Sequence, residues 1–172
     1  ETVEAAASVE IPEPRRFVVP EFAIPPGGLH YRWPDLPGPQ IEERMEAKKH
    51  AVFAFAAANP IDRHIYNVPD ARFGIVTTGK AHLDLMEALR LLGIDERECR
   101  RVGIDVYKIG MVWPLDRRDA LAFMRGKREV LVVEEKRGIV ESQFKEYFYD
   151  WPGAKPERMV GKHDENGERL IP

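Results

Sequence analysis

Cysteine is nearly absent from this 172-residue sequence, which contains Cys99 alone. One thiol cannot form an internal disulfide, and it cannot supply a multi-cysteine zinc site or an iron–sulfur cluster bound by four thiolates. Long apolar runs are missing too, since no stretch approaches the roughly 20 residues that a membrane-spanning helix needs. The composition therefore excludes a disulfide-stabilised scaffold and a cysteine-bound metal centre within this chain.

An excess of charge of one sign is also missing. The chain contains 26 Lys and Arg residues and 29 Asp and Glu residues, so its formal net charge is −3. A nucleic-acid-binding domain normally has a clear basic excess, and a protein that binds an anionic membrane surface has a polybasic cluster. We therefore expect no nucleic acid and no membrane among the partners of this protein.

The start of the chain lacks the basic residues and the apolar stretch of a signal peptide, and it begins with Glu1 rather than Met. We therefore expect a cytoplasmic segment of a longer protein. The length is typical of one domain with an additional tail or linker. The hydrophobic fraction of 44% is sufficient for a packed core.

Familiar phosphate-binding and catalytic motifs are absent. No GxGxxG follows a strand pattern, and Gly74 and Gly79 enclose a strand pattern instead of following one, unlike a phosphate loop. The histidines show no metal-binding i, i+4 spacing. The arginines near Cys99 favour a lowered thiol pKa, but no base is adjacent, so we expect this cysteine to pack rather than react. No catalytic residue and no metal ligand are predicted.

Proline is concentrated in residues 1–40, which hold eight of the 14 prolines. Because proline lacks an amide donor and fixes φ, this stretch is predicted to be an extended arm or interdomain linker. Its apolar residues are too numerous for a flexible spacer, so we expect it to lie across its own domain or a neighbour. Residues 41–60 are predicted to form a linker helix that ends at Asn59 and Pro60.

Residues 61–172 alternate between short apolar runs and amphipathic stretches. The strand patterns lie at 64–68, 73–77, 104–109, 130–133 and 158–162. This alternation predicts βαβ units, a mostly parallel sheet and right-handed crossovers with helices on both faces. Asp116 is expected to cap a helix. The indole of Trp113 is expected to be buried against a neighbouring element, either of this domain or of another domain.

Two groups of polar residues follow strand patterns and form the candidate site. They are Thr78, Gly79, Lys80 and His82, and then Glu134, Glu135, Lys136 and Arg137. In open α/β sheets, ligands and partners bind at the carboxyl ends of the strands. The first group is either an anion site at a helix start or a tight turn that needs glycine. The second is either an interdomain or cofactor contact or a solvated loop with local ion pairs.

Four stretches together resemble the indolepyruvate ferredoxin oxidoreductases. They are residues 73–80, residues 106–115, residues 132–137 with Glu141, Gln143 and Lys145 downstream, and residues 160–164. More specifically, they are similar to the transketolase C-terminal-like domain of the thiamine-diphosphate-dependent 2-oxoacid:ferredoxin oxidoreductases. The four stretches occur in the family's order and at fitting spacing.

The resemblance implies a three-layer α/β/α fold whose five-stranded mixed sheet has one antiparallel edge strand. The implied spatial order of strands is 64–68, 104–109, 73–77, 130–133 and 158–162. The resemblance also implies a parent enzyme that decarboxylates an aryl 2-oxoacid such as indolepyruvate on thiamine diphosphate with Mg²⁺. Such an enzyme forms a CoA thioester and passes electrons through iron–sulfur clusters to ferredoxin.

The sequence lacks the diphosphate- and magnesium-binding motif of such enzymes, and it lacks cluster cysteines. The resemblance therefore implies a structural, assembly-forming domain that binds none of these cofactors, is inactive alone and has the other domains or subunits of the parent as partners. Whether it also forms a homodimer stays open. The alternative is a stand-alone anion- or nucleotide-binding module that uses the two strand ends.

Overall fold

The structure is a computed structural model that describes residues 10–11, 13–24, 28–29 and 38–170. Within these ranges the chain forms five helices and five strands. In chain order they are α1 (Gln40–Ala58), β1 (Arg63–His64), β2 (Phe73–Thr78), α2 (Gly79–Leu91), α3 (Glu96–Val102), β3 (Ile104–Ile109), α4 (Arg117–Met124), β4 (Glu129–Val133), α5 (Ile139–Tyr149) and β5 (Arg158–Val160).

The strands form one mixed sheet in the order β1–β3–β2–β4–β5. Strands β2 to β5 pair in parallel, and β1 pairs antiparallel with β3 at the edge. In register, Thr77 of β2 lies between Lys108 of β3 and Val133 of β4. The α/β class, the five-stranded mixed sheet and the implied strand order are confirmed.

Helices cover both faces of the sheet, because the central strands carry apolar residues on both sides. On one face, α4 and α5 pack Phe123 and Phe144 against Val76 and Val132. On the other face, α2 packs Leu89 against the sheet, and α3 contributes to a smaller adjoining cluster. This arrangement is the predicted three-layer sandwich.

Short polar side chains determine where two helices begin. The Asp116 carboxylate accepts hydrogen bonds from the amides of Arg118 at 2.9 Å and Asp119 at 3.4 Å, so the expected cap is confirmed. The Asp95 carboxylate accepts one from the Glu98 amide at 2.8 Å and caps α3 in the same way.

Two outer strands and one tryptophan differ from the predictions. The strand predicted at 64–68 is confined to Arg63–His64, because the chain then turns away through Asn67, whose φ is +46°. The strand predicted at 158–162 ends at Val160, since the Lys162 amide donates to the Glu141 carboxylate. The expected burial of Trp113 is wrong for this chain, because its side chain is 62% exposed.

The described part of the proline-rich arm contacts this chain's own first helix. Residues 13–24 contain no helix or strand. The Val18 amide donates to Asn59 Oδ1, and Asn59 Nδ2 donates to the Val18 carbonyl, both at 2.8 Å. The Phe17 ring lies 5.6 Å from the Phe55 ring. Arm residues 1–9, 12, 25–27 and 30–37 fall outside the described residues. No described helix is long and apolar enough to cross a membrane.

Candidate functional site

The two predicted groups of polar residues follow neighbouring strands. Strands β2 and β4 pair directly and in parallel, so Thr78 and Glu134 emerge at the same edge of the sheet. The chain leaves β2 towards α2 on one face and leaves β4 towards α5 on the other. This divergence makes the edge a topological switch point, where ligands of open α/β sheets bind.

Glu134 is buried and caps the start of α5 with its side chain. Its carboxylate accepts hydrogen bonds from the amides of Ile139 at 3.0 Å, Val140 at 2.9 Å and Glu141 at 3.0 Å. The first amides of a helix have no partner within the helix and carry partial positive charge, so a carboxylate is well suited to them. Two alternatives were open for Glu134, a contact with a ligand or neighbouring domain and a place in a solvated loop. Its buried side chain, bonded to amides of α5, matches neither of them. The protein's own carboxylate fills the anion-binding end of α5.

A second buried carboxylate joins α5 to the segment that follows β5. Glu141 Oε2 accepts from the Lys162 amide at 2.9 Å, and Glu141 Oε1 accepts from Lys145 Nζ. Burial alone would raise the pKa of Glu141, but the hydrogen bonds from Lys145 and Lys162 lower it below its ordinary value. Lys162 in turn donates through Nζ to the Glu134 carbonyl oxygen. These hydrogen bonds connect the end of β4, helix α5 and the segment after β5 to one another.

The other charged residues of the two groups lie at the surface. Glu135, Lys136 and Arg137 are exposed. Lys80 forms an ion pair with Asp84 at 2.7 Å, and this hydrogen bond raises its pKa, with a smaller increase from the Glu135 carboxylate. Lys80 is therefore already paired within its own helix.

His82 lies under the first turn of α2 and contacts the end of β2. Its Nδ1 is hydrogen-bonded to Thr77 Oγ1 at 3.0 Å, and both side chains are buried. Burial lowers the pKa of His82, and the charges of Lys108 and Arg63 lower it further. A hydroxyl beside an imidazole is the pairing of a nucleophile with a base. Here the Thr77 side chain is only 1% exposed, so no substrate reaches it and the pair has a packing role.

Gly79 begins α2 in the left-handed region, with φ of +54°. This conformation favours glycine, as the tight-turn alternative requires. The side chain of Thr78 makes no capping hydrogen bond to α2. The backbone conformation of Gly79 therefore matches the tight-turn alternative. Binding of an anion at this strand end stays a prediction.

Cys99 lies in the small core cluster beside α3 and is completely buried. The prediction that the neighbouring arginines lower the pKa of the Cys99 thiol is wrong. Burial raises the thiol pKa, and the nearby carboxylates of Asp95 and Glu98 raise it further. The prediction that this cysteine packs rather than reacts agrees with this environment.

Sequence reasoning misses the roles of Glu141 and Lys162 at this edge. The two residues are 21 positions apart, and only the sheet brings them together. One local signal is Gly161, where a Cβ atom would overlap the Glu141 carboxylate. A glycine next to a buried lysine therefore marks the place where the carboxylate approaches the backbone.

The sequence of the sheet domain matches a known family. A family model of the indolepyruvate oxidoreductase domain covers residues 63–172, well over half of the chain. This chain belongs to the indolepyruvate oxidoreductase domain family. The suspected resemblance is thereby confirmed, and the match begins at β1.

Curated relatives of this indolepyruvate oxidoreductase domain carry the same family name. Indolepyruvate oxidoreductase subunit IorA of Pyrococcus abyssi is 33% identical over 81 residues, and that of Thermococcus kodakarensis is 32% identical over 81 residues. Each match covers 47% of this chain and only 11% of the relative. The chain therefore corresponds to a small part of these much longer subunits.

A solved structure shares the fold of the domain. The 2-oxoglutarate:ferredoxin oxidoreductase from Magnetococcus marinus, solved with 2-oxoglutarate, coenzyme A and succinyl-CoA bound, superposes with a TM-score of 0.50. It is 18% identical, and the superposition covers 71% of this chain and 19% of that chain. At this level of identity the likeness concerns the fold of the domain.

Proposed function

We propose that this chain is a domain of a thiamine-diphosphate-dependent indolepyruvate:ferredoxin oxidoreductase, and that it organises the assembly instead of forming the catalytic centre. The observation that carries the proposal is the family match over residues 63–172. The parent enzyme would decarboxylate an aryl 2-oxoacid, form a CoA thioester and deliver electrons through iron–sulfur clusters to ferredoxin.

The chemistry of the available side chains supports a structural role. The one thiol, Cys99, is buried in a small apolar cluster. Among the described residues, no three His, Cys, Asp or Glu side chains are grouped closely enough to hold a metal ion. These residues fit neither an iron–sulfur cluster nor the Mg²⁺ that accompanies thiamine diphosphate. Both groups would be held by other parts of the parent enzyme.

The switch-point edge supports the same role. Its buried carboxylates, Glu134 and Glu141, bind amides and lysines of this chain, so they are committed to holding α5 and the segment after β5 in place. The other charged residues of this strand end, Glu135, Lys136 and Arg137, are exposed at the surface. That they contact a neighbouring domain is part of the proposal.

Exposed apolar side chains also support an assembly-forming role. In α1 only Ala56 is buried, and Met45 is 51% exposed. Trp113, between β3 and α4, is 62% exposed. A contiguous apolar patch on a surface can mark a place where another protein surface binds. We propose that α1 and Trp113 face the other domains or subunits of the parent.

The test measures indolepyruvate-dependent reduction of a viologen dye with thiamine diphosphate, Mg²⁺ and CoA. We expect turnover by the complete protein that contains this chain and none by the chain alone. Turnover by the chain alone would overturn the structural role. Absence of turnover of any aryl 2-oxoacid by the complete protein would overturn the parent activity.

A separate substitution tests the proposed role in assembly. Trp113→Ala in the complete protein should weaken subunit association in size-exclusion chromatography without lowering the melting temperature of the isolated chain. Arg90→Ala, which removes an exposed side chain already paired with Glu87, is the matched control. Unchanged association in the tryptophan variant would contradict the proposed interface.

A further inference from the structure

A cavity of about 610 Å³ lies between the docked arm, the end of α1, the edge strand β1 and its neighbour β3. Its volume is within the range of roughly 300–1,000 Å³ that small-molecule sites occupy. Its apolar lining consists of Phe17, Phe55, Pro60 and Ile61, and its charged lining consists of Arg15, Arg16, Arg63 and Lys108. None of the described residues that line it is acidic.

Two of these cations face each other across the edge of the sheet. Arg63 of β1 is directly opposite Lys108 of β3 in the antiparallel register. Like charges in that position destabilise a sheet. Within the described part of the chain, neither side chain forms an ion pair, and the same holds for Arg15 and Arg16. Among the described residues, the four cations at this cavity therefore have no ion-pair partner.

The nearest acid along the chain, Asp62, binds backbone amides and forms no ion pair with these cations. Asp62 Oδ1 accepts hydrogen bonds from the amides of Gly110 at 2.7 Å and Met111 at 3.1 Å.

The arm completes this cavity and is held in place there. Asn59 binds both the amide and the carbonyl of Val18, and Phe17 packs on Phe55. These contacts place Arg15 and Arg16, the two preceding residues of the arm, at the rim. The sheet alone would supply only half of the positive charge.

We propose that this cavity binds a small polyanion with a flat ring, of the nucleoside diphosphate class. Arginine side chains match pairs of phosphate oxygens with two parallel hydrogen bonds, and lysine contributes a compact positive charge. The rings of Phe17 and Phe55 offer an apolar surface for a planar base. A long nucleic acid does not fit the overall charge of −3. This site goes beyond the proposed structural function and is separate from the Thr78–Lys80 strand end.

The experiment is calorimetric titration of the full chain at low salt with ADP, inorganic pyrophosphate and adenosine as probes. We expect one ADP per chain, with ADP binding more tightly than either of its two parts. Lys108→Gln should weaken ADP binding roughly tenfold, the equivalent of one charge-assisted hydrogen bond. Phe55→Leu should weaken ADP binding but leave pyrophosphate binding unchanged.

Two controls separate binding from folding and from the strand-end alternative. Lys108→Gln should unfold no earlier than the wild type without ligand, because it relieves a like-charge contact. Lys80→Gln removes a cation that is already paired with Asp84 and should leave ADP affinity unchanged. Three results would each overturn the proposal. They are no binding of ADP, equal losses of ADP affinity in Lys108→Gln and Lys80→Gln, and binding of an acidic peptide with no binding of ADP.

Discussion

Replacing Glu134 with alanine should destabilise the domain strongly, because one carboxylate satisfies three helix amides. Removal of an ordinary helix-capping side chain costs about 0.5–2 kcal/mol. Here two of the three amides belong to the buried residues Val140 and Glu141, and an unsatisfied buried donor costs about 1–3 kcal/mol. The Ile139 amide also donates to the Arg137 carbonyl oxygen at 2.9 Å, so it keeps a partner. We therefore expect Glu134→Ala to lower the free energy of unfolding by about 2–4 kcal/mol.

Glu134→Gln is the conservative partner of this variant. In the native carboxylate, Oε2 accepts from Ile139 and Val140, and Oε1 accepts from Glu141. A glutamine keeps one acceptor oxygen and places an NH₂ group against the remaining amides. Its cost should be intermediate, about 1–2 kcal/mol, with the charge–dipole attraction lost as well.

The measurement is urea unfolding followed by circular dichroism, with Glu135→Ala as the matched control. Glu135 has the same side chain at the next position but is exposed, so its replacement should change the unfolding free energy by less than about 0.5 kcal/mol. Equal small effects of the two alanine variants would refute the assignment of Glu134 as the cap of α5.

Three further variants or measurements examine the arm, the buried histidine and the thiol. Asn59→Ala removes both hydrogen bonds to Val18, so trypsin cleavage after Arg16 should accelerate roughly tenfold. The pKa of His82 is lowered in the folded state, so the unfolded chain takes up the proton first and stability falls as the pH drops below about 6.5. His82→Asn should therefore flatten the dependence of the melting temperature on pH between 7.5 and 5. Native Cys99 should react with Ellman's reagent only as fast as the chain unfolds, because burial raises its thiol pKa.

Each of these expectations has a contradicting result. Cleavage at the wild-type rate in the asparagine variant would show that the Val18 clamp does not hold the arm. A melting-temperature profile equally steep with and without His82 would remove its assigned role in the pH response. Fast modification of Cys99 under native conditions, with wild-type unfolding rates, would contradict its burial.

The class of fold and several local features are recognisable from the sequence. Alternating apolar runs and amphipathic stretches predict a helix-covered parallel sheet, because side-chain periodicity reports which faces are buried. Asp116 is recognisable as a cap, since its hydrogen bonds reach only two and three residues ahead. The family resemblance rests on stretches of neighbouring residues in the right order, and it implies the strand order that the structure has.

The roles of the charged residues depend on contacts that form only when the chain folds. Glu134 caps α5 because the chain after β4 folds its carboxylate back onto a helix that begins five residues later. Arg63 and Lys108 are 45 positions apart, and only the strand register places them opposite each other. The thiol of Cys99 has arginines beside it in sequence, but its burial raises its pKa instead. Burial and register arise from contacts between distant segments, so no local pattern contains them.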